Sequence, residues 1–407
     1  AKRAATGRHP RRFAGTQRTP RAAEYRKAGR TEVDVLEANE TWELVRRSEL
    51  PPGTIVHDGM WVWIDKYDKD ANDTEIRGRY VFLGNEQIRG VDYDETYSPT
   101  GRPATQRCCH AVASSEKLIA KQADVKAAFL QARVADDPLD VDIYMEQVDG
   151  FEDPDHPRAE WVCKLIKTLY GMRQSNRLWW RRLVRWMIKY GFRQSDYDQC
   201  MFFGMRQTMA TTPRKLRGLR FVPILVDDIS SYLQDTTQAR RNYAKFIAAL
   251  HRKYPTVDGG DIEFYLKQAI TADPESEDYS ISQEAHVTKM LEKHDMLRCN
   301  PVETPFENGL MQEILRQGRN APEDAKSDPV VDATDYRSIL GSLNFPAVMT
   351  RPDLANTVSV LQRYQQTPRN SHLNAAKRVQ RYVQGTKNLG LRYTGGPVQL
   401  SASVDSS

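Results

Sequence analysis

Phe221-Val-Pro-Ile-Leu-Val-Asp-Asp-Ile-Ser-Ser-Tyr-Leu233 contains two apolar, β-type runs joined at the adjacent carboxylates Asp227 and Asp228. Local reading gives a hairpin with two acids at its tip. Anions side by side on a tight turn repel each other, so something positive must offset them or water must reach them. Asp also suits turns for a simpler reason, because its side chain bonds to nearby backbone, and the doublet alone decides nothing. A second run, Leu118-Ile-Ala-Lys-Gln-Ala-Asp-Val-Lys-Ala-Ala-Phe-Leu130, puts Asp124 at the end of a short apolar segment that leads towards a helix. Two strand ends that each carry carboxylates can converge on one place, which makes Asp124, Asp227 and Asp228 a candidate divalent-metal site.

The surrounding composition suits a folded chain. With 407 residues, 40% of them hydrophobic, there is material for two or three domains with substantial cores. No apolar run approaches the roughly 18 residues that span a bilayer, and no charged-then-apolar leader opens the sequence, so an intracellular chain without a membrane partner is expected. Cys108, Cys109, Cys163, Cys200 and Cys299 include no CxxC pair. They read as buried free thiols rather than a disulfide framework or a zinc site. The net charge of +5 is modest, but residues 1–30 hold ten Lys or Arg against the single acid Glu24. Such a block has no core of its own and suits a polyanion, bound in a salt-sensitive way; a solvated tail fits it equally well.

In chain order, Ala22 to Asn39 has helix-forming composition. Met60–Ile64 and Arg77–Leu83 predict a hairpin around a polar loop, Asp65 to Asp73. Arg77 and Arg79 share one strand face, because side chains two apart point the same way, and paired guanidiniums can grip a triphosphate. An exposed cationic edge strand is the plainer account. Residues 101–117 look helical. Val162 to Phe192 predicts a strand, a turn and a long helix that carries Arg173, Arg177, Arg181, Arg182, Arg185 and Lys189 among Trp179, Trp180 and Trp186. A basic helix with aromatics can track a phosphate backbone and stack on bases, or the tryptophans are core and the arginines a solvated face. Thr237 to His251 predicts an amphipathic helix, Asp261 to Ile270 a strand, and Asn308 to Pro329 a linker. Further helices are expected over Tyr336–Arg363 and His372–Gln384. Strands and helices without regular βαβ repeats favour an α+β fold.

Asp124-Val-Lys-Ala-Ala-Phe-Leu130 and Val226-Asp-Asp228 resemble the two catalytic motifs of copia-type LTR-retrotransposon reverse transcriptases. The likeness continues, in the family's order, through Thr41-Trp-Glu-Leu-Val45, Asp92-Tyr-Asp-Glu-Thr-Tyr-Ser-Pro99, Ile143-Tyr-Met-Glu146, Leu169-Tyr-Gly-Met-Arg-Gln174, Tyr336-Arg-Ser-Ile-Leu-Gly-Ser-Leu343 and Thr350-Arg-Pro-Asp353. The resemblance implies an α+β right-hand polymerase, with Ile281 to Leu297 as the first helix of its thumb. Its parts would be a basic disordered tail (1–19), fingers and palm (20–275), thumb and linker (276–328), a helical connection region (329–400) and the start of an RNase H domain (401–407). Asp405 would stand at that last domain's first acidic position, and RNase H activity is not expected.

The implied activity is RNA-dependent DNA polymerisation, with Asp124, Asp227 and Asp228 catalytic and two Mg²⁺ or Mn²⁺ ions held at Asp124, Val125, Asp227 and Asp228. Arg77, Arg79, Phe129 and Gln174 would bind the nucleotide, Phe129 by blocking a ribose 2′-hydroxyl, and Leu225 and Lys267 would meet the primer. Implied partners are an RNA template, a DNA or tRNA primer and deoxynucleoside triphosphates, with a dimer or larger assembly left open. Cytoplasmic virus-like particles, the nucleus or both are the implied location. Departures from the family pattern are Leu225 in place of Tyr, Lys267 in place of Gly, Pro223 within the strand that delivers Asp227, Gly84 after Leu83, and Ser175-Asn176 after Gln174. They leave a second expectation standing, a catalytically inactive, retrotransposon-derived nucleic-acid-binding or assembly subunit.

Overall fold

The computed structural model describes residues 9–68, 73–204, 211–272, 278–307, 309, 314 and 328–397, a mixed α/β architecture. The start of the basic segment, the tip of the polar loop, most of the expected linker, and Ser401–Ser407 with Asp405 lie outside the described residues.

The first unit grows from the expected hairpin. Its arms, Gly59–Asp68 and Asp73–Phe82, pair in antiparallel register with Trp61 opposite Tyr80 and Val62 opposite Arg79. Alternation turns Trp61, Trp63, Ile76, Tyr80 and Phe82 inward and leaves Arg77 and Arg79 exposed on the other side. Helix Ala22–Ala38 lays Tyr25, Gly29, Val33 and Leu36 on this sheet, Tyr25 meeting Trp63 edge to face at 5.1 Å. A small sheet completes the unit, in the order Trp42–Arg46, Trp161–Leu165, Tyr144–Met145, Val56–His57.

Residues 9–19, expected in a disordered tail, are docked on this unit instead. Phe13 is buried against Phe151 at 4.8 Å, Arg12 bonds Asp58 at 2.6 Å, and the Arg11 carbonyl accepts the Trp61 N–H at 3.1 Å. One aromatic anchor with backbone bonds on either side outweighs the local charge density that signalled disorder.

The central sheet has six strands in the order Thr256–Asp261, Leu118–Val125, Asp228–Gln234, Leu219–Leu225, Met201–Phe203, Arg193–Gln194. Helices Ser175–Tyr190 and Thr237–Lys253 pack on one face of it. Their Trp179, Leu183, Met187, Phe246 and Leu250 share a core with Ala123, Val125, Ile229 and Leu233. The strand residues of opposite parity, Leu118, Ala120 and Tyr232, join a different core on the other face, with Cys109, Tyr265 and Ile281. Pro223 is accommodated inside this sheet. It stands opposite Met201, and its carbonyl accepts the Ser230 hydroxyl at 3.3 Å.

The expected single strand Asp261–Ile270 is broken. Leu266 and Lys267, at φ +51° and +61°, turn the chain between Phe264–Tyr265 and Gln268–Ala272. That hairpin continues into Tyr279–Ser282 and Gly390–Tyr393 as a four-stranded sheet. The helix expected from Ile281 begins only after that strand, at Glu284. It shares one core with Ala333–Met349, Ala355–Gln362 and Asn370–Gly385, where Val287 and Leu291 join Tyr336, Leu340 and Val379. The division expected at residues 328/329 therefore falls inside a continuous core. All five cysteines are free, and Cys109, Cys163 and Cys200 are buried. Among the described residues no helix is long and apolar enough to cross a membrane.

Candidate active site

Strands Leu118–Val125 and Asp228–Gln234 run antiparallel with Asp228 directly opposite Asp124. Directly paired positions bring side chains to roughly 5 Å at Cβ. Both acids share strand parity with Ala120 and Tyr232, so they stand on the face away from the two packed helices. The hairpin that carries the doublet closes with Leu225 opposite Asp228, so Val226 and Asp227 are its two loop residues. Val226 adopts φ +58°, a left-handed conformation that is costly for a β-branched residue and ordinarily taken by glycine at this turn position. Two bonds hold the turn: the Trp179 indole N–H donates to the Val226 carbonyl at 2.8 Å, and the Val125 N–H donates to the Asp227 carbonyl at 3.0 Å.

The electrostatics record the crowding. Burial, and then the neighbouring charges of Asp227 and Asp124, push the Asp228 carboxyl up to about 6. Burial also raises Asp227, with the Asp124 charge adding to it and Arg79 and Lys126 opposing it. Lys126 forms an ion pair with Asp124. Three hard oxygen donors, with Asp227 and Asp228 harder to ionise through burial and neighbouring charge, are of the type a hydrated divalent cation takes. Among the described residues no group of three acids, His or Cys is placed to hold a metal ion by itself; an ion here would need water or phosphate oxygens as further ligands.

Around the acids, Arg79 lies over the Tyr170 ring at 4.8 Å, and Phe129 meets the same ring edge to face at 5.1 Å. Arg79, Glu32, Asp227 and Asp124 all act electrostatically on the Tyr170 hydroxyl. Thus Arg79 and Phe129 gather beside the carboxylates through a tyrosine to which sequence reading gave no role. The turn that presents Tyr170 is fastened to the hairpin: Phe82 N–H donates to the Tyr170 carbonyl at 2.8 Å and Arg173 Nε to the Gly84 carbonyl at 2.7 Å. Gly84, odd in the sequence, is needed for this contact, since a Cβ there would fall 2.1 Å from the Gly171 carbonyl oxygen. Glu32, from helix Ala22–Ala38, is pushed up to about 7 by burial, against the pull of a bond from the Tyr80 backbone and of Arg79.

The other expected site residues divide. Leu225 is paired with Asp228, and it and Lys267, the two residues expected at the primer, line one pocket of about 520 Å³ with His286 and Phe345. Arg77 shares the exposed strand face of Arg79, farther from the turn at Phe82. The Val125 side chain is in the helix-side core, which leaves only its backbone near the acids. Gln174 is not in the cleft: it is fully buried, donates to the Asp92 carbonyl at 3.1 Å and accepts from Gln87 at 3.2 Å. Both ends of its amide are occupied in joining the 84–92 segment to the start of helix Ser175–Tyr190.

Residues 39–308 match the family described as reverse transcriptase (RNA-dependent DNA polymerase). The chain belongs to the reverse transcriptase family. Among its relatives are two retrovirus-related Pol polyproteins. That of transposon RE2 of Arabidopsis thaliana is 31% identical over 90% of this chain and 23% of its own length. That of transposon TNT 1-94 of Nicotiana tabacum is 30% identical over 95% of this chain and 27% of its own. The putative transposon Ty5-1 protein YCL074W of Saccharomyces cerevisiae is 27% identical over 69% of this chain and 81% of its own. The copia-type resemblance read from the motifs is thereby borne out. This reverse transcriptase chain spans about a quarter of the Pol polyproteins it matches. Trp179, Tyr170, Lys126 and Glu32 were the residues of its site not foreseen; Tyr170 and Lys126 lie inside the quoted motifs, whereas Glu32 comes from a helix far upstream with no motif of its own.

Proposed function

We propose that this reverse transcriptase domain is an RNA-directed DNA polymerase that adds deoxynucleotides to a primer 3′-hydroxyl. The observation that carries the reading is the direct pairing of Asp228 with Asp124 beside the turn of Asp227, on the sheet face opposite helices Ser175–Tyr190 and Thr237–Lys253. In this reading the six-stranded sheet is the palm, the Gly59–Phe82 hairpin with its covering helix the fingers, and the C-terminal helices the thumb and connection. Asp124 and Asp227 would hold both of two Mg²⁺ or Mn²⁺ ions and Asp228 the primer-side one. Bound there, such ions lower the barrier to hydroxyl attack and neutralise departing pyrophosphate. Arg79, with Arg77 behind it, binds the triphosphate through charge-assisted bonds. Phe129, braced on Tyr170, closes the space beside the sugar, and Leu225 with Lys267 supports the primer end.

The ion pair between Lys126 and Asp124 favours a second reading, nucleic-acid binding without turnover, because that cation already offsets part of the charge a metal would take. Primer extension on an RNA template with Mg²⁺ or Mn²⁺ separates the two. Extension that Asp124→Asn and Asp227→Asn each abolish is expected; product undiminished by Asp227→Asn, or salt-sensitive RNA binding with no incorporation, rejects the polymerase.

A further inference from the structure

Helices Ser175–Tyr190 and Thr237–Lys253 cover the sheet face opposite the acids, and on their own outer side they leave a groove of about 530 Å³. Arg182, Arg185, Lys189, Lys215 and Lys253 line it, with Trp186 among them. They come from three separated segments, so the charge is assembled by the fold and not by one amphipathic helix. Asp136 faces the same region and is taken up by Arg182 at 2.7 Å. Among the described residues none of the remaining four cations, all exposed, has a carboxylate at salt-bridge distance. Arg252 adds to the field through its effect on the Tyr190 hydroxyl.

Ordinary surfaces intersperse acids among such cations. Here four unneutralised charges converge on one concavity, walled by aromatic rings already fixed by packing. Trp186 stacks on Tyr190 at 5.2 Å and 20°, and Lys215 sits over the Tyr190 ring at 4.1 Å.

We propose that this groove is a second nucleic-acid site, on the reverse of the polymerase face, which holds single-stranded RNA chiefly through its phosphates. Convergent cations in a concave wall raise the local concentration of a polyanion, and aromatic edges between them suit a base-bearing strand, which every base can contact without sequence preference. Because the sheet and its helix layer separate the groove from Asp124 and Asp228, one strand reaches both only by passing round the edge of the domain. A short primer–template duplex occupies the cleft alone, whereas a long single-stranded template extension engages the groove as well. The site does not depend on the chain being an active polymerase.

The test uses the full chain, Arg185→Glu/Lys189→Glu, and Lys215→Glu/Lys253→Glu, a second pair on different elements should the first fail to fold, with thermal melts confirming folding. Affinity is read by fluorescence anisotropy across a salt series for a short RNA–DNA duplex and for the same duplex with a long single-stranded RNA extension. Two phosphate contacts account for a slope of about 1.4 in log Kd against log salt on a single strand. A folded variant should lose about that much slope, and on the order of 10-fold in affinity, for the extended RNA while the short duplex is held as before. Unchanged binding of the extended RNA in folded variants, or equal loss for both ligands, overturns the proposal; the first of these would leave the groove to an acidic protein instead.

Discussion

Trp179 donates its indole N–H to the carbonyl of Val226 at 2.8 Å and so ties the core helix to the loop residue that precedes the two acids. Val226 is held at a positive φ that its own side chain disfavours, and the conformation persists because the surroundings over-determine it. Replacing the donor while keeping a ring, Trp179→Phe, leaves a shielded carbonyl unpaired. The expected cost is about 1 to 3 kcal/mol in urea unfolding, with a loss of primer extension larger than the matched Trp186→Phe produces. Equal activity in the two variants would show that the turn holds itself.

The acids also set a pH dependence. In the metal-free protein the Asp228 carboxyl titrates near 6, above its unfolded value, so the folded state holds that proton more tightly than the unfolded chain. Its favourable contribution is complete below about pH 4 and is lost as pH rises through 6. Divalent ions need the ionised form, so the rise in melting temperature with Mg²⁺ should grow between pH 5 and 7, and Asp228→Asn should flatten that growth. A magnesium effect independent of pH in the unmodified protein would show that Asp228 is not a ligand.

Gly84 and Gly171 allow two backbones to touch where the end of the Gly59–Phe82 hairpin meets the Tyr170 turn. A Cβ on Gly171 would fall 2.2 Å from the Phe82 carbonyl oxygen, and Gly171 also sits at φ +95°. Gly84→Ala should destabilise by about 1 to 3 kcal/mol through overpacking. Gly171→Ala should cost more, since it adds left-handed strain. Thermal melts of the two variants check the order.

Gln174 joins buried segments, with both ends of its amide taken up by protein groups. Gln174→Ala should therefore lower stability by about 1 to 3 kcal/mol through its orphaned partners, with KM for deoxynucleotides within about twofold in the folded protein. A large rise in KM at unchanged stability would restore the direct contact read from the motif.

Phe129 braces Tyr170 from a half-buried position. In the polymerase reading, Phe129→Ala should increase ribonucleotide use relative to deoxynucleotides on the order of 10-fold, measured as the ratio of kcat/KM values. An unchanged ratio would confine Phe129 to packing.

Period-two alternation made the Trp61/Tyr80 hairpin legible, and it placed Arg77 and Arg79 on the exposed face because a pleated strand leaves no other choice. The long helices at Ala22, Ser175 and Thr237 were equally plain, since each carries an apolar stripe at helical spacing. The strand read through Leu266-Lys267 failed because neither residue advertises a positive φ; the turn is imposed by pairing of the flanking segments. Phe13 likewise docks a segment whose charge spoke for disorder, since one buried ring counts for more than the formal charge of solvated arginines.

Residue type and order were enough to assign the family and to mark Asp124, Asp227 and Asp228 as candidates, because motifs are made of particular side chains and those are written in the chain. Their arrangement was not. That Asp228 faces Asp124, that Trp179 secures the turn, that Gln174 is buried away from the cleft and that cations from three segments converge behind the sheet are matters of strand register and packing. Each depends on which distant residues become neighbours, and that is decided by the free energy of the whole fold rather than by any local run of sequence.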